Sequence, residues 1–253
     1  MEYPSTYILT KTHCGSHCIL CPNPNDYIET YRSFDVACRA SHKMKMIDDG
    51  GINKEHVVYS GNVPQRAVHL LRHPLDNIVA RLHLQEKRWE QQIFHDGEGE
   101  NLEEKQLFLE TFNNTRQGFH AWCEFQDYAG RKYETNSRFY DEELWEIARQ
   151  LPCHAELIRY ITWHNLAMEV IRRRNLPVLT MYYESFETDW NATVDSLFDF
   201  LYLQPAEGVA PLEFIAGKHY LDHFESHHVV LAEQLTRLLA SPEAWQLLEH
   251  YFR

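Results

Sequence analysis

Apolar positions along the chain recur in two spacings, one typical of buried strands and the other of amphipathic helices. Three short stretches are apolar and rich in β-branched or aromatic residues, which predicts strands at residues 6–13, 66–72 and 176–183. Each of them leads into polar residues and then into a helix or a long connection. Strands connected in this way lie parallel, so the pattern predicts an α/β layered domain.

Helical spacing covers most of the remaining chain. The predicted helices are 74–93, 105–127, 142–149, 155–174, 192–203 and 229–251, the last broken near Ser241-Pro242. Pro74 favours a helix start, because proline is well tolerated in the first turn. Residues 14–61 contain the turn clusters PNPND and DDGG and are predicted to be irregular. Residues 95–104 are predicted to form an acidic surface loop.

The composition is that of a globular protein with a sizeable core. Of the 253 residues, 44% are hydrophobic and 24% are charged, which fits a single domain spanning 1–253. The net charge of −13 argues against nucleic acid and anionic membranes as partners, whereas an anionic small molecule needs only a local basic pocket. No apolar run approaches the roughly 18 residues of a membrane span, and the first residues do not have the pattern of a signal peptide.

Three of the six cysteines lie in TKTHCGSHCILC, residues 10–21. The candidates for a local disulfide that fixes the loop after the first strand are Cys14, Cys18, Cys21 and Cys38. A zinc site that adds His13 or His17 is a second possibility, and reduced, packed cysteines are a third. The spacing leaves all three open.

Two sequons, Asn113-Asn114-Thr115 and Asn191-Ala192-Thr193, would accept glycans in a secretory lumen. Together with a local disulfide they favour the Golgi lumen over the cytoplasm as the location of the protein.

The three predicted strands end in polar, reactive residues. These ends are Lys11-Thr12-His13, Arg72-His73-Pro74 and Tyr183-Glu184-Ser185. Because ligands of parallel sheets bind at the carboxyl ends of the strands, the three ends together predict a binding site.

Arg72 stands at a strand end immediately before a predicted helix start, where free backbone N–H groups and the helix dipole favour an anion. The alternative is that Arg72 pairs with Asp76 across the first helical turn.

Lys11 and His13 lie on one face of their strand, where a histidine could take a proton from a hydroxyl and a lysine could neutralise a leaving oxygen. A polar strand end in contact with solvent is the alternative for this pair. Tyr183 could contact a base, or it could be an ordinary core aromatic.

These motifs, in this order, resemble the sulfotransferases that use 3′-phosphoadenosine 5′-phosphosulfate (PAPS). The stretches that carry the resemblance are KTH, RHPLDNIVAR, PVLTMYYESF and DSLFDFLYL. The similarity is greatest to divergent sulfotransferase-like proteins of algae and other protists, and it runs from about residue 5 to residue 252 through ITWHNLAMEVI, GKHYLDHF and LASPEAWQLLEHYF.

The resemblance implies a three-layer, P-loop-NTPase-like parallel sheet flanked by helices. It also implies transfer of a sulfuryl group from PAPS to a hydroxyl of a carbohydrate, sterol or small metabolite, with no metal. By the same resemblance His13 would deprotonate the acceptor, Lys11 would lie beside the sulfuryl group and Arg72 would bind the 3′-phosphate. Tyr183 would lie at the adenine side.

The chain departs from the family at two points. Ala80 stands where the family's 3′-phosphate motif usually has a serine, so Arg81 and, in AGKHY, Lys218 become further candidates for phosphate contacts. The strand, PKSGTTW-like loop and helix that cradle the 5′-phosphosulfate are missing from the sequence. We therefore expect either a truncated but active sulfotransferase or an impaired remnant that binds a nucleotide or a partner. A zinc-fastened interaction module is the third hypothesis.

Overall fold

The computed structural model describes residues 14, 30–46, 52–96, 102–134, 140–204, 208 and 214–253. The strands are β1 (Ala40–Met46), β2 (Ile52–Val58), β3 (Ala67–Leu71) and β4 (Val178–Tyr182). The helices are α1 (Tyr31–Cys38), α2 (Pro74–Asp96), α3 (Leu102–Thr111), α4 (Arg116–Glu134), α5 (Glu142–Ala148), α6 (His154–Arg173), α7 (Ser185–Thr188), α8 (Trp190–Leu201), α9 (Ser226–Leu239) and α10 (Pro242–Leu248). Two 3₁₀ turns cover Leu221–His223 and Glu249–Phe252.

The strands form two small sheets. β3 and β4 are parallel, with Ala67 opposite Val178 and Leu71 opposite Tyr182, whereas β1 and β2 form an antiparallel pair. This confirms two of the predicted strands and the α/β class with a parallel sheet. The third predicted strand, 6–13, lies outside the described residues.

The prediction of an irregular segment from 14 to 61 is wrong for most of its described part. The Thr30 side chain accepts a hydrogen bond from the Ser33 N–H and thereby caps α1. β1 and β2 follow, with the sequences ASHKMKM and INKEHVV. Such polar strands lack the apolar alternation from which strands are recognised, and cross-strand pairing decides their structure instead.

The predicted helix 105–127 is in fact two helices, α3 and α4, separated by a turn at 112–115. The Asn113 Oδ1 accepts hydrogen bonds from the Thr115 N–H at 3.1 Å and from the Thr115 hydroxyl. A side chain that binds the backbone next to it in this way competes with the helix, and this local competition breaks it. The predicted acidic loop is also shorter than expected, because α2 runs to Asp96 and α3 begins at Leu102.

The other helix predictions agree with the structure. α2 begins at Pro74, α5 and α6 match their predicted ranges within a residue or two, and α7 precedes α8 where one helix was expected. The break in the last helix lies at Ser241, whose hydroxyl accepts a hydrogen bond from the Ala244 N–H and starts α10. None of the helices in the described part is long and apolar enough to cross a membrane.

Helix α6 is the centre of the core, and 11 of its residues are buried. Its first turn is tied to α4 in two ways. Cys123 and Cys153 form a buried disulfide with an S–S distance of 1.99 Å, and the Asp127 carboxylate accepts hydrogen bonds from the N–H groups of Cys153 and Ala155, each at 2.9 Å. An aspartate placed there satisfies backbone donors that the helix itself leaves unpaired.

A buried ionic triad joins α2 to α6. The Glu156 carboxylate, whose side chain is fully buried, pairs with the Arg81 guanidinium and accepts a hydrogen bond of 2.7 Å from Arg159. Arg159 is also buried, whereas the Arg81 side chain is 29% exposed.

A second disulfide joins Cys14 to Cys38. The prediction of a local disulfide among the N-terminal cysteines is thus confirmed for this pair, and the pair is no longer available as zinc ligands. Cys18 and Cys21 lie outside the described residues. Elsewhere in the described part, no three His, Cys, Asp or Glu side chains are arranged to hold a metal ion.

The stability of the fold should fall as the pH drops below neutrality because of a buried histidine pair between β3 and α6. His69 and His164 are hydrogen-bonded, Nε2 to Nδ1, at 2.7 Å, and both are buried. Burial lowers the pKa of His69 to about 4, whereas the unfolded chain has a pKa of about 6.5. The unfolded state therefore binds more protons between these values, and the contribution of His69 is present above pH 6.5 and lost as the pH falls towards 4.

We expect this histidine to remove about 2 kcal/mol from the free energy of unfolding between pH 7 and pH 5. In His69→Gln the drop measured by urea unfolding should be smaller by that amount. His227→Gln, at an exposed position, is the control and should keep the wild-type drop. An unchanged drop in His69→Gln would contradict the assignment.

Candidate functional site

The carboxyl ends of β3 and β4 bring together two of the residues predicted for the site. Leu71 and Tyr182 are partners in the parallel register, so the residues that follow them, Arg72 and Tyr183, lie next to each other. The Tyr183 N–H donates to the Leu71 carbonyl at 2.7 Å. The Arg72 guanidinium carbon lies 4.7 Å from the centre of the Tyr183 ring and 5.5 Å from that of Tyr220. Such contacts orient a guanidinium and leave its edges for hydrogen bonding.

The predicted alternative for Arg72, a pair with Asp76, is not what the structure shows. The Arg72 Nη2 donates to the Lys218 carbonyl at 2.7 Å, and its Nε is buried with no hydrogen-bond partner among the described residues. The Asp76 carboxylate, also buried, accepts a hydrogen bond of 2.7 Å from the Tyr220 N–H.

Residues 214–220, which we call the covering segment, lie across Arg72. Glu187 of α7 holds this segment through the Gly217 N–H, at 3.2 Å from Oε1, and through the His219 ring, whose Nε2 is 3.2 Å from Oε2. Gly217 has a φ of +74°, a backbone conformation that favours glycine. Phe214 packs against Tyr183, with 5.2 Å between the ring centres. The covering segment therefore forms one wall of the site.

The start of α2 is occupied by a carboxylate of the protein itself. The Glu184 Oε1 accepts a hydrogen bond from the His73 N–H at 2.8 Å, and its Oε2 accepts one from the Tyr251 hydroxyl at 3.0 Å. The sequence predicts free N–H groups at this helix start that could bind an anion. The Glu184 carboxylate takes one of them, the His73 N–H, and already complements the helix dipole. An external anion would depend mainly on Arg72.

Two tyrosine hydroxyls donate hydrogen bonds to residues at the strand ends. The Tyr160 hydroxyl donates to the Arg72 carbonyl at 2.7 Å. Burial is the main cause that raises the pKa of both Tyr160 and Tyr251, and the nearby Glu184 carboxylate adds to it. Both hydroxyls therefore stay protonated at neutral pH and act as donors, which fixes the Arg72 backbone and the Glu184 side chain.

His73 is the nearest histidine to Arg72 along the chain. Burial lowers its pKa, which keeps the ring neutral near pH 7, and the ring packs at 5.3 Å from that of Tyr251. Its Nδ1 is buried and has no hydrogen-bond partner within the described residues. Because burial disfavours the charged ring, His73 is a weaker proton acceptor than an exposed histidine.

The remaining predicted site residues are placed differently. Arg81 is engaged with Glu156 in the ionic triad, and Lys218 reaches Arg72 through its carbonyl. Lys11 and His13, the two predicted catalytic residues, lie outside the described residues.

The sequence reasoning missed Tyr220 and Glu187 as members of the site, and it considered Asp76 only as a partner of Arg72. Glu187 could have been suspected, since it closely follows the end of the strand β4. Tyr220 and Asp76 are 144 residues apart, and no local pattern signals that their backbone and side chain meet.

In comparisons with protein-family models, curated proteins and solved structures, none matched this chain. The resemblance to sulfotransferases therefore rests on the motifs quoted above.

Proposed function

We propose that the chain is a PAPS-dependent sulfotransferase-like protein with a three-layer, P-loop-like fold. It would transfer a sulfuryl group to a hydroxyl of a carbohydrate, sterol or small metabolite. The observation that supports this best is Arg72, which stands at the end of a parallel strand and at the start of a helix, beside the rings of Tyr183 and Tyr220. This is the position where α/β folds bind anionic ligands.

The site residues have distinct roles in this proposal. The Arg72 fork binds the 3′-phosphate and Tyr183 contacts the adenine side, while Lys218, whose carbonyl accepts a hydrogen bond from Arg72, adds a positive charge. His13 takes the proton of the acceptor hydroxyl while Lys11 stabilises charge on the leaving phosphate oxygen. The S–O bond to the acceptor forms as the S–O bond to the phosphate breaks, so in-line positioning supplies most of the catalysis.

A catalytically impaired protein that binds a nucleotide or a partner is the second candidate. Two contacts favour it: the Lys218 carbonyl occupies the Arg72 Nη2, and the Glu184 carboxylate occupies the start of α2.

Nucleotide binding can be tested with 3′-phosphoadenosine 5′-phosphate, the desulfated product. At 100 times its dissociation constant a ligand stabilises the folded state by about 2.7 kcal/mol, so we expect thermal unfolding to shift upward by a few degrees. Arg72→Ala should abolish the shift, and Arg72→Lys, which keeps the charge but not the fork, should reduce it. Arg173→Ala removes an exposed arginine of α6 and is the matched control.

A shift that survives in Arg72→Ala would place the nucleotide elsewhere, and no shift at millimolar ligand would exclude nucleotide binding in either candidate. If the shift behaves as expected, the next measurement is transfer of labelled sulfuryl from PAPS to a panel of hydroxyl acceptors. This measurement distinguishes the active sulfotransferase from the impaired protein. Transfer identifies the enzyme, and binding without transfer identifies the impaired protein.

A further inference from the structure

The two sequons of the chain both lie beside helix starts, but their asparagine side chains have different surroundings. One carboxamide is hydrogen-bonded at both its nitrogen and its oxygen, and the other makes no hydrogen bond among the described residues. This difference is independent of the proposed function.

Asn113 is held on both sides of its carboxamide. Its Nδ2 donates to the Glu110 carbonyl at 3.0 Å, and its Oδ1 accepts from both the N–H and the hydroxyl of Thr115. The next turn packs directly onto it, since a Cβ atom at Gly118 would lie 2.5 Å from the Asn113 Oδ1. A sugar on the Asn113 Nδ2 would need space in the region where the first turn of α4 packs against the end of α3.

Asn191 is the second residue of α8, and its side chain is exposed. The helix does not need it as a cap, because the Asp189 carboxylate already accepts the Ala192 N–H at 3.1 Å. Within the described residues the Asn191 carboxamide makes no hydrogen bond. The hydroxyl of the third sequon residue, Thr193, donates to the Ser185 carbonyl at 3.0 Å and not to the Asn191 carboxamide.

The cysteines indicate a compartment in which such a modification takes place. The described residues contain two disulfides, Cys14–Cys38 and Cys123–Cys153, and the second is completely buried. Disulfides form and persist in oxidising compartments, and in eukaryotes the lumen of the secretory pathway is both oxidising and the place of N-glycosylation.

We propose that Asn191 carries an N-linked glycan and that Asn113 does not. The donor is an oligosaccharide linked to a lipid pyrophosphate. A bond forms between the Asn191 Nδ2 and C1 of the first sugar as the bond between C1 and the pyrophosphate oxygen breaks, and the amide loses one proton as the lipid pyrophosphate leaves. The glycan projects from the exposed side of α8, a helix in which no side chain is buried.

The test uses the full chain, secreted from a eukaryotic host behind a cleavable signal and treated with peptide-N-glycosidase. We expect the treatment to increase the gel mobility of the wild type and of Asn113→Gln, and to leave Asn191→Gln unchanged. Mass spectrometry should find aspartate at position 191 after glycan release, because the glycosidase converts the modified asparagine to aspartate.

Two substitutions at Thr193 make the test independent of changes at the asparagine itself. Thr193→Ser keeps the sequon and should keep the glycan, whereas Thr193→Ala removes the sequon and should lose it. A wild-type protein without a mobility change, or a change that persists in Asn191→Gln and disappears in Asn113→Gln, would overturn the proposal.

Discussion

Glu156→Ala should lower the free energy of unfolding by about 3–5 kcal/mol. The Glu156 side chain is fully buried between Arg81 and Arg159, and Arg159 is itself buried. Removing the carboxylate takes away a counter-charge that the buried Arg159 guanidinium has in the core, and a buried charge is costly when its compensation is reduced. Urea unfolding at pH 7, followed by circular dichroism, measures the change.

Glu142→Ala is a matched control for this substitution. Glu142 also lies in the first turn of a helix and also pairs with an arginine, Arg149, at 2.6 Å. That pair is exposed, with 40% of the arginine and 69% of the glutamate side chain accessible, so its removal should change stability by less than about 1 kcal/mol. Equal effects of the two substitutions would mean that the triad is not desolvated in solution.

Replacing both Cys123 and Cys153 by alanine should cost about 3–4 kcal/mol of stability. The disulfide closes a loop with a sequence separation of 30 residues, and the entropy that such a link removes from the unfolded chain corresponds to this value. It also joins α4 to the first turn of α6, the most buried helix of the described part, so few compensating movements are available.

The measurement is denaturant unfolding of the double variant and the wild type under non-reducing and under reducing conditions. Reduction should destabilise the wild type strongly. The double variant should respond only through Cys14–Cys38, and Cys14→Ala/Cys38→Ala serves as the comparison for that contribution. A double variant as stable as the wild type would show that the native packing alone holds α4 against α6.

The parts of the fold that could be predicted are those decided by local burial. The apolar runs of β3 and β4 and the 3.6-residue spacing of α2 and α6 are set by which side chains leave water, so they can be found in a single sequence. The same reasoning placed Arg72 and Tyr183 at one edge of the sheet, because parallel strands end together.

The parts that could not be predicted depend on partners distant in sequence or on single side chains. β1 and β2 are polar and exist through their pairing with each other. The break at Asn113 comes from one carboxamide that binds the backbone next to it. In the site, Asp76 and Tyr220 meet across 144 residues, and the Glu184 carboxylate fills a helix start that sequence reasoning had left open for a ligand.

The carboxylates around Arg72 have a consequence for any anion that approaches it. Asp76, Glu184 and Glu187 surround the site, and the whole chain carries a net charge of −13. A phosphate therefore reaches the arginine against a repulsive field, and the field is screened by dissolved salt. Sites built from lysine and arginine alone lose affinity for anions as ionic strength rises, because salt screens an attraction. At this site salt mostly screens the repulsion between the anion and the carboxylates. Added salt should therefore raise the affinity of the site for the anion or leave it unchanged.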